Sequence, residues 1–169
     1  LKKRSKKLLL LEGFMSLNIG DVAPEFSMAA SGGRTVTLTD LIGKPFVIYF
    51  YPKADTPGCT KEACAFEEAL PQLGKIGVPV IGVSKDSVKA LDKFAEKFSL
   101  SFPLASDPDG KVIEAYGAWG EKSMYGKKYM GIERSTVLVD GRGRVAKLWP
   151  KVKVEGHAAD VLKAVQALA

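Results

Sequence analysis

Two short apolar runs, Phe46-Val47-Ile48-Tyr49-Phe50-Tyr51 and Val78-Pro79-Val80-Ile81-Gly82-Val83-Ser84, lack the polar alternation of a strand with one wet face. Runs of this length, rich in β-branched and aromatic residues, read as strands buried on both sides, so helices must cover them. The stretch between them carries Ala63, Phe66, Leu70 and Leu73 at helical spacing, interrupted by Pro71. Beyond the second run, Val88, Leu91, Phe94, Ala95 and Phe98 fall on one helical face. Strand and helix alternating in this way define an α/β protein.

The flanking segments complete the order. Residues 23–29 and 35–38 bracket Ser31-Gly32-Gly33-Arg34 and predict a hairpin, and Asp140-Gly141-Arg142-Gly143 predicts a second one between 135–139 and 145–149. A short strand is expected at 102–105, a helical stretch at 112–116, and an amphipathic helix from His157 to Leu168. The polar, glycine-interrupted segment 117–131 reads as loop. The expected architecture is a mixed central β-sheet flanked by helices, resembling the thioredoxin fold with an N-terminal β-hairpin extension.

The formal charge of +6 invites a nucleic-acid reading, but Lys2, Lys3, Arg4, Lys6 and Lys7 against Glu12 hold most of it. The rest of the chain is nearly balanced, so no phosphate-tracking surface is expected and nucleic acid is not an expected partner. Residues 1–14 are expected to be a solvated, disordered or non-native basic tail ahead of a single domain spanning 15–169. The run Leu8–Leu11 is too short for the apolar core of a secretory signal, which needs roughly 7–15 residues. No segment approaches the roughly 18 apolar residues of a membrane span. Two cysteines in 169 residues are too few for a disulfide-built secreted scaffold, and a cytoplasmic location is expected.

Those cysteines, Cys59 and Cys64, lie in Asp55-Thr56-Pro57-Gly58-Cys59-Thr60-Lys61-Glu62-Ala63-Cys64, directly after the first buried strand. A strand ending in a Pro-Gly turn that opens a helix puts Cys59 in the first helical turn, where unpaired N–H groups and the positive dipole end favour a thiolate. Thiolate supply alone gives only a modest rate gain, because nucleophilicity falls with basicity. Groups that hold the other reactant must supply more. Candidates are the Thr56 hydroxyl, the Gly58 and Cys59 N–H groups, the Arg134 guanidinium ahead of strand 135–139, and Pro57 as a shield against water. On an intact helix, residues five apart stand about 8–9 Å between Cα atoms. A disulfide tolerates no more than about 7 Å, so pairing Cys59 with Cys64 requires the first turns to unwind.

The run Tyr49–Cys64, YFYPKADTPGCTKEAC, resembles the peroxidatic motif of peroxiredoxins, and more narrowly that of the bacterioferritin comigratory protein (peroxiredoxin Q) subfamily. The resemblance extends through Gly20-Asp21-Val22-Ala23-Pro24-Glu25-Phe26, Gly131-Ile132-Glu133-Arg134-Ser135-Thr136 and Trp149–His157, covering the chain from about Leu17 onward. It implies a thiol peroxidase acting on hydrogen peroxide and alkyl hydroperoxides. Cys59 would be the peroxidatic cysteine, Thr56 and Arg134 its activating partners, Pro57 the shield, and Cys64 the resolving cysteine. It further implies an intramolecular disulfide, reduction by thioredoxin or a similar dithiol, a monomer, and no metal or organic cofactor.

Blander readings stand beside these. Cys59 and Cys64 can be small buried hydrophobes, Arg134 an exposed strand flank, Thr56 an ordinary helix N-cap. His157 is expected in a surface or capping role. Trp119, Tyr125 and Tyr129 either line the site or pack. The alternative function is thiol–disulfide exchange without peroxide chemistry, which normally uses C-x-x-C rather than the C-x4-C found here. A metal site from Cys59, Cys64 and His157 lacks a fourth ligand.

Overall fold

A computed structural model describes residues 17–168, so the basic stretch 1–14 and the expected domain start at Met15 lie outside the described residues. Seven strands form one mixed sheet in the order β2-β1-β5-β4-β3-β8-β9, and β6 pairs with β7 in a separate two-stranded ribbon. The strands are β1 Ser27–Ala30, β2 Arg34–Thr37, β3 Phe46–Phe50, β4 Val80–Ser84, β5 Leu104–Ser106, β6 Trp119–Met124, β7 Lys127–Ile132, β8 Ser135–Val139 and β9 Val145–Trp149. The helices are α1 Leu38–Leu41, α2 Pro57–Lys75, α3 Val88–Phe98, α4 Lys111–Ala115 and α5 His157–Leu168.

β3 lies in the interior of the sheet, parallel to β4 and antiparallel to β8. All five of its residues are buried, as are those of β4 and β8, which is why these runs show no polar alternation. Side chains leave the sheet on alternate faces. Val47, Tyr49 and Tyr51 point to one side, where Ala63 and Phe66 of α2, Leu91 and Phe94 of α3, and Val161 and Val165 of α5 cover them. Ile48 and Phe50 point to the other, against Leu38 of α1, Val112 and Ile113 of α4, and Phe26 and Met28 from the N-terminal hairpin. The Tyr49 ring stacks on Phe66 at 4.7 Å between centroids. It also crosses Gly82 of the neighbouring strand so closely that a Cβ there would stand 2.9 Å from it, which makes glycine a packing requirement in β4.

The mixed sheet, the flanking helices and both predicted hairpins are present. One expectation is corrected. The segment 117–131, read as loop, instead supplies most of the β6–β7 ribbon, with Lys122 opposite Tyr129 and Met124 opposite Lys127. Its turn, Tyr125-Gly126, holds φ of 54° and 77°, the doubly positive geometry that matches hairpin twist, and the sequence hides it by placing Tyr where Asn or Asp is usual. Pro71 lies inside α2, which runs on to Lys75. Its ring lies on the exposed side, and the buried stripe Phe66, Ala69 and Leu73 anchors the helix across it.

Candidate active site

The link from β3 to α2 is fastened before the helix starts. The Ala54 N–H donates to Asp86 Oδ2 at 2.8 Å, and Asp55, at a left-handed φ of 61°, pairs with Lys97 at 3.0 Å. Thr56 is the N-cap residue and Pro57 the first helical residue, a position where its missing N–H costs nothing. The Thr56 hydroxyl does not cap the helix; it donates to the Lys53 carbonyl at 2.8 Å. That bond commits its proton and leaves its lone pairs as acceptors. The Thr60 N–H reaches back to the Thr56 carbonyl at 2.8 Å, so the N–H groups of Gly58 and Cys59 precede the first helical bond.

Cys59 is 2 % exposed. Arg134, in the turn between β7 and β8, donates from Nη2 to Cys59 Sγ at 3.2 Å and from Nη1 to Glu62 Oε1 at 2.7 Å. The guanidinium can come so near because residue 58 is glycine: a Cβ there would stand 3.3 Å from Nη2. Burial works against the Arg134 charge, but Glu62 and Cys59 outweigh it and hold the group above its ordinary value. Burial pushes the Glu62 carboxyl up to about 7, against the pull of Arg134. Its second oxygen, the hydroxyls of Tyr49 and Tyr51, and Ser135 Oγ are buried without hydrogen-bond partners in the described residues.

Glu62 escaped sequence reading. The signal was there: it lies three residues after Cys59, on the same helical face as Ala63 and Phe66, and an acid in an apolar stripe calls for a buried partner.

Cys64 lies further along α2, partly exposed and not bonded to Cys59. Burial first, then Glu68 and Glu67, raise its thiol above the ordinary value. The five-residue offset turns it away from Cys59 around the helix. His157 is corrected from a surface or capping role: it is 5 % exposed, shares a 2.7 Å hydrogen bond between Nε2 and Thr136 Oγ1, and meets Phe66 and Trp149 edge-on. Burial lowers its basicity to about 4. Among the described residues no cluster of three His, Cys, Asp or Glu side chains is placed to hold a metal ion. Trp119 packs on the core with Lys85 over its ring, whereas Tyr125 stands 98 % exposed at the ribbon tip and neither packs nor lines the site.

A strand-ending turn that seats a buried thiol at a helix start, under a guanidinium tied to a second acid, defines a thiol-redox class of protein. The chain belongs to the AhpC/TSA family, which residues 19–148 match. Its relatives are peroxiredoxins of the Bcp/PrxQ branch. A putative peroxiredoxin bcp of Coxiella burnetii is 52% identical over 148 residues, covering 88% of this chain and 98% of the relative. Peroxiredoxin Bcp of Bacillus subtilis is 45% identical, covering 90% and 97%. Among solved structures, the Xanthomonas campestris bacterioferritin comigratory protein, studied for alkyl peroxide reduction, superposes with a TM-score of 0.80 at 47% identity, covering 84% of this chain and 90% of that one. A cysteine-to-serine mutant of Xylella fastidiosa PrxQ gives 0.85 at 41%, covering 90% and 97%. Among the described residues no helix is long and apolar enough to cross a membrane.

Proposed function

We propose that the protein is a thiol peroxidase that reduces hydrogen peroxide and alkyl hydroperoxides at Cys59. The observation that carries the reading is the Arg134 contact with Cys59 Sγ at 3.2 Å, at the start of α2. That contact stabilises negative charge on sulfur, and the same guanidinium is positioned to meet the charge that develops on oxygen. The Thr56 hydroxyl, with its own proton given to Lys53, accepts from the peroxide O–H and orients it. Pro57 closes the rim. The sulfur is almost fully buried, which favours the slender end of a terminal –OOH group.

In the reaction, the Cys59 thiolate attacks the terminal oxygen. The S–O bond forms as the O–O bond breaks, sulfur is oxidised to a sulfenic acid, and the electron pair leaves with the inner oxygen as hydroxide or alkoxide. The proton lost when the thiol ionised balances the product as water or alcohol. Cys64 then condenses with the sulfenic acid, releasing water and forming an intramolecular disulfide once the first turns of α2 unwind. A thioredoxin or similar dithiol reduces it. This cycle suits a monomer in a reducing, cytoplasmic compartment, in a domain spanning 15–169, and calls for no metal or organic cofactor.

The test is peroxide consumption with thioredoxin, thioredoxin reductase and NADPH. Stoichiometric turnover lost in Cys59→Ser supports the reading. Insulin reduction without peroxide turnover would replace it with thiol–disulfide exchange.

A further inference from the structure

Beside Arg134 the surface opens into a cavity of about 310 Å³ lined by Pro52, Lys122, Glu133, Arg134, Lys151, Val152 and Lys153. The volume is at the lower end of the range for small-molecule sites. Its walls come from three separate parts of the fold: the end of β3, the β6–β7 ribbon with the turn that follows it, and the segment after β9. One bond ties the segment after β9 to the turn that follows the ribbon, and a second lies within the ribbon itself. The Val152 N–H donates to the Arg134 carbonyl at 2.9 Å, and Lys122 Nζ donates to the Ile132 carbonyl at 2.9 Å, which fixes that ammonium at the cavity wall.

The charge in the cavity is unbalanced. The ion pairs of the described residues join Lys97 to Asp55, Lys111 to Asp109, Lys128 to Glu121 and Arg134 to Glu62. Lys122, Lys151 and Lys153 therefore face the cavity with no carboxylate partner among the described residues, and Glu133 is the single acid in the lining. Three lysines and an arginine around one concavity, against a single acid, give it a positive field that concentrates anions there. Pro52 and Val152 add apolar wall between them. Arg134 is common to this cavity and to the Cys59 sulfur.

We infer that Lys122, Lys151 and Lys153 form a carboxylate subsite that selects organic hydroperoxides bearing a carboxylate a few carbons from the –OOH group. The inference rests on the thiol peroxidase reading given above. The carboxylate sits among the ammonium groups, the short carbon chain lies against Pro52 and Val152, and the –OOH passes Arg134 to reach Cys59. Attack on sulfur then proceeds with the same balance of atoms as for any hydroperoxide, the product being the hydroxy acid.

The experiment compares 3-hydroperoxy-3-methylbutanoate with its methyl ester, which has the same –OOH and carbon skeleton but no charge, as second-order rates of oxidation of the reduced protein. In parallel, Cys59 is alkylated with iodoacetate and with iodoacetamide, a charged and neutral pair that needs no peroxide chemistry. The expected result is a preference of about tenfold or more for the acid over the ester at low salt, as charge-assisted contacts allow. That ratio falls towards unity in the Lys151→Gln/Lys153→Gln double variant, in Lys122→Gln, and at high ionic strength. The iodoacetate-to-iodoacetamide ratio falls in step. Equal rates for acid and ester in the unaltered protein, or a preference that survives loss of the lysines, would overturn the subsite. If iodoacetate is favoured through the lysines while neither hydroperoxide nor hydrogen peroxide is consumed, the subsite stands as a carboxylate site and the peroxidase reading fails.

Discussion

Arg134 and Cys59 are 75 residues apart in the chain, yet Nη2 of one lies 3.2 Å from Sγ of the other. The fold brings them together because β8, which Arg134 precedes, pairs with β3, and Cys59 follows β3 by one turn. Ser135 sits opposite Phe50, so the guanidinium emerges at the end of β3 where α2 begins. Arg134→Met should therefore slow Cys59 oxidation by hydrogen peroxide by about 10²–10³-fold, the usual effect of losing one preorganised donor to a developing charge. Arg134→Lys should recover only part of this, since an ammonium cannot serve sulfur and Glu62 together. Stopped-flow oxidation of the reduced variants reads both.

Gly58 separates stability from reactivity. Gly58→Ala improves helix propensity by up to about 1 kcal/mol, but its new Cβ presses on Arg134 Nη2 from 3.3 Å. The expected outcome is an unfolding midpoint equal to or above that of the parent, with a rate of Cys59 oxidation lowered about tenfold. Urea unfolding and stopped-flow on the same sample check the two halves.

Glu62 and His157 give opposite pH dependences of stability. The Glu62 carboxyl is raised from 4.5 to about 7 in the fold, so the folded state holds the proton more tightly. Its contribution is complete below pH 4.5 and is lost as pH rises through 7. His157 is lowered from 6.5 to about 4, so its contribution is complete above pH 6.5 and is lost as pH falls through 4. Each is worth on the order of 3 kcal/mol across its window. Between pH 4.5 and 6.5 the two slopes oppose each other. Glu62→Gln should expose a stability that rises with pH there, and His157→Asn one that falls, both read by urea unfolding under reducing conditions.

Cys64 is expected to act after the first chemical step. Cys64→Ser should leave the first oxidation of Cys59 fast and stall steady-state turnover with thioredoxin. In the unaltered protein, oxidation should lower amide protection over residues 57–68, because about 8–9 Å of Cα separation on an intact helix exceeds what a disulfide spans. Hydrogen exchange on reduced and peroxide-treated protein measures it.

Much of the fold was readable because β3 and most of β4 are apolar runs without polar alternation, and such runs have few physical interpretations once helical periodicity flanks them. The ribbon 119–132 was not, since its strands are mostly exposed and only their ends, Trp119 and Ile132, reach the core, leaving no alternation to read. At the site, the local turn Thr56-Pro57-Gly58-Cys59 announced itself through a Pro-Gly helix start directly after a buried strand. The Arg134 contact depended on strand pairing, which single-sequence periodicity does not encode, and it was expected from family resemblance and strand position. His157 misled because a histidine at the start of a terminal helix resembles a capping residue; its burial comes from Phe66 and Trp149, distant in sequence.

Intact and peptide mass spectrometry after one equivalent of hydrogen peroxide tests the central claim most directly. The account predicts that the parent protein loses about 2 Da as a Cys59–Cys64 disulfide, and that Cys64→Ser gains about 16 Da, localised to Cys59. A reduced mass unchanged after peroxide, or oxygen found on methionine with Cys59 still a thiol, would contradict it.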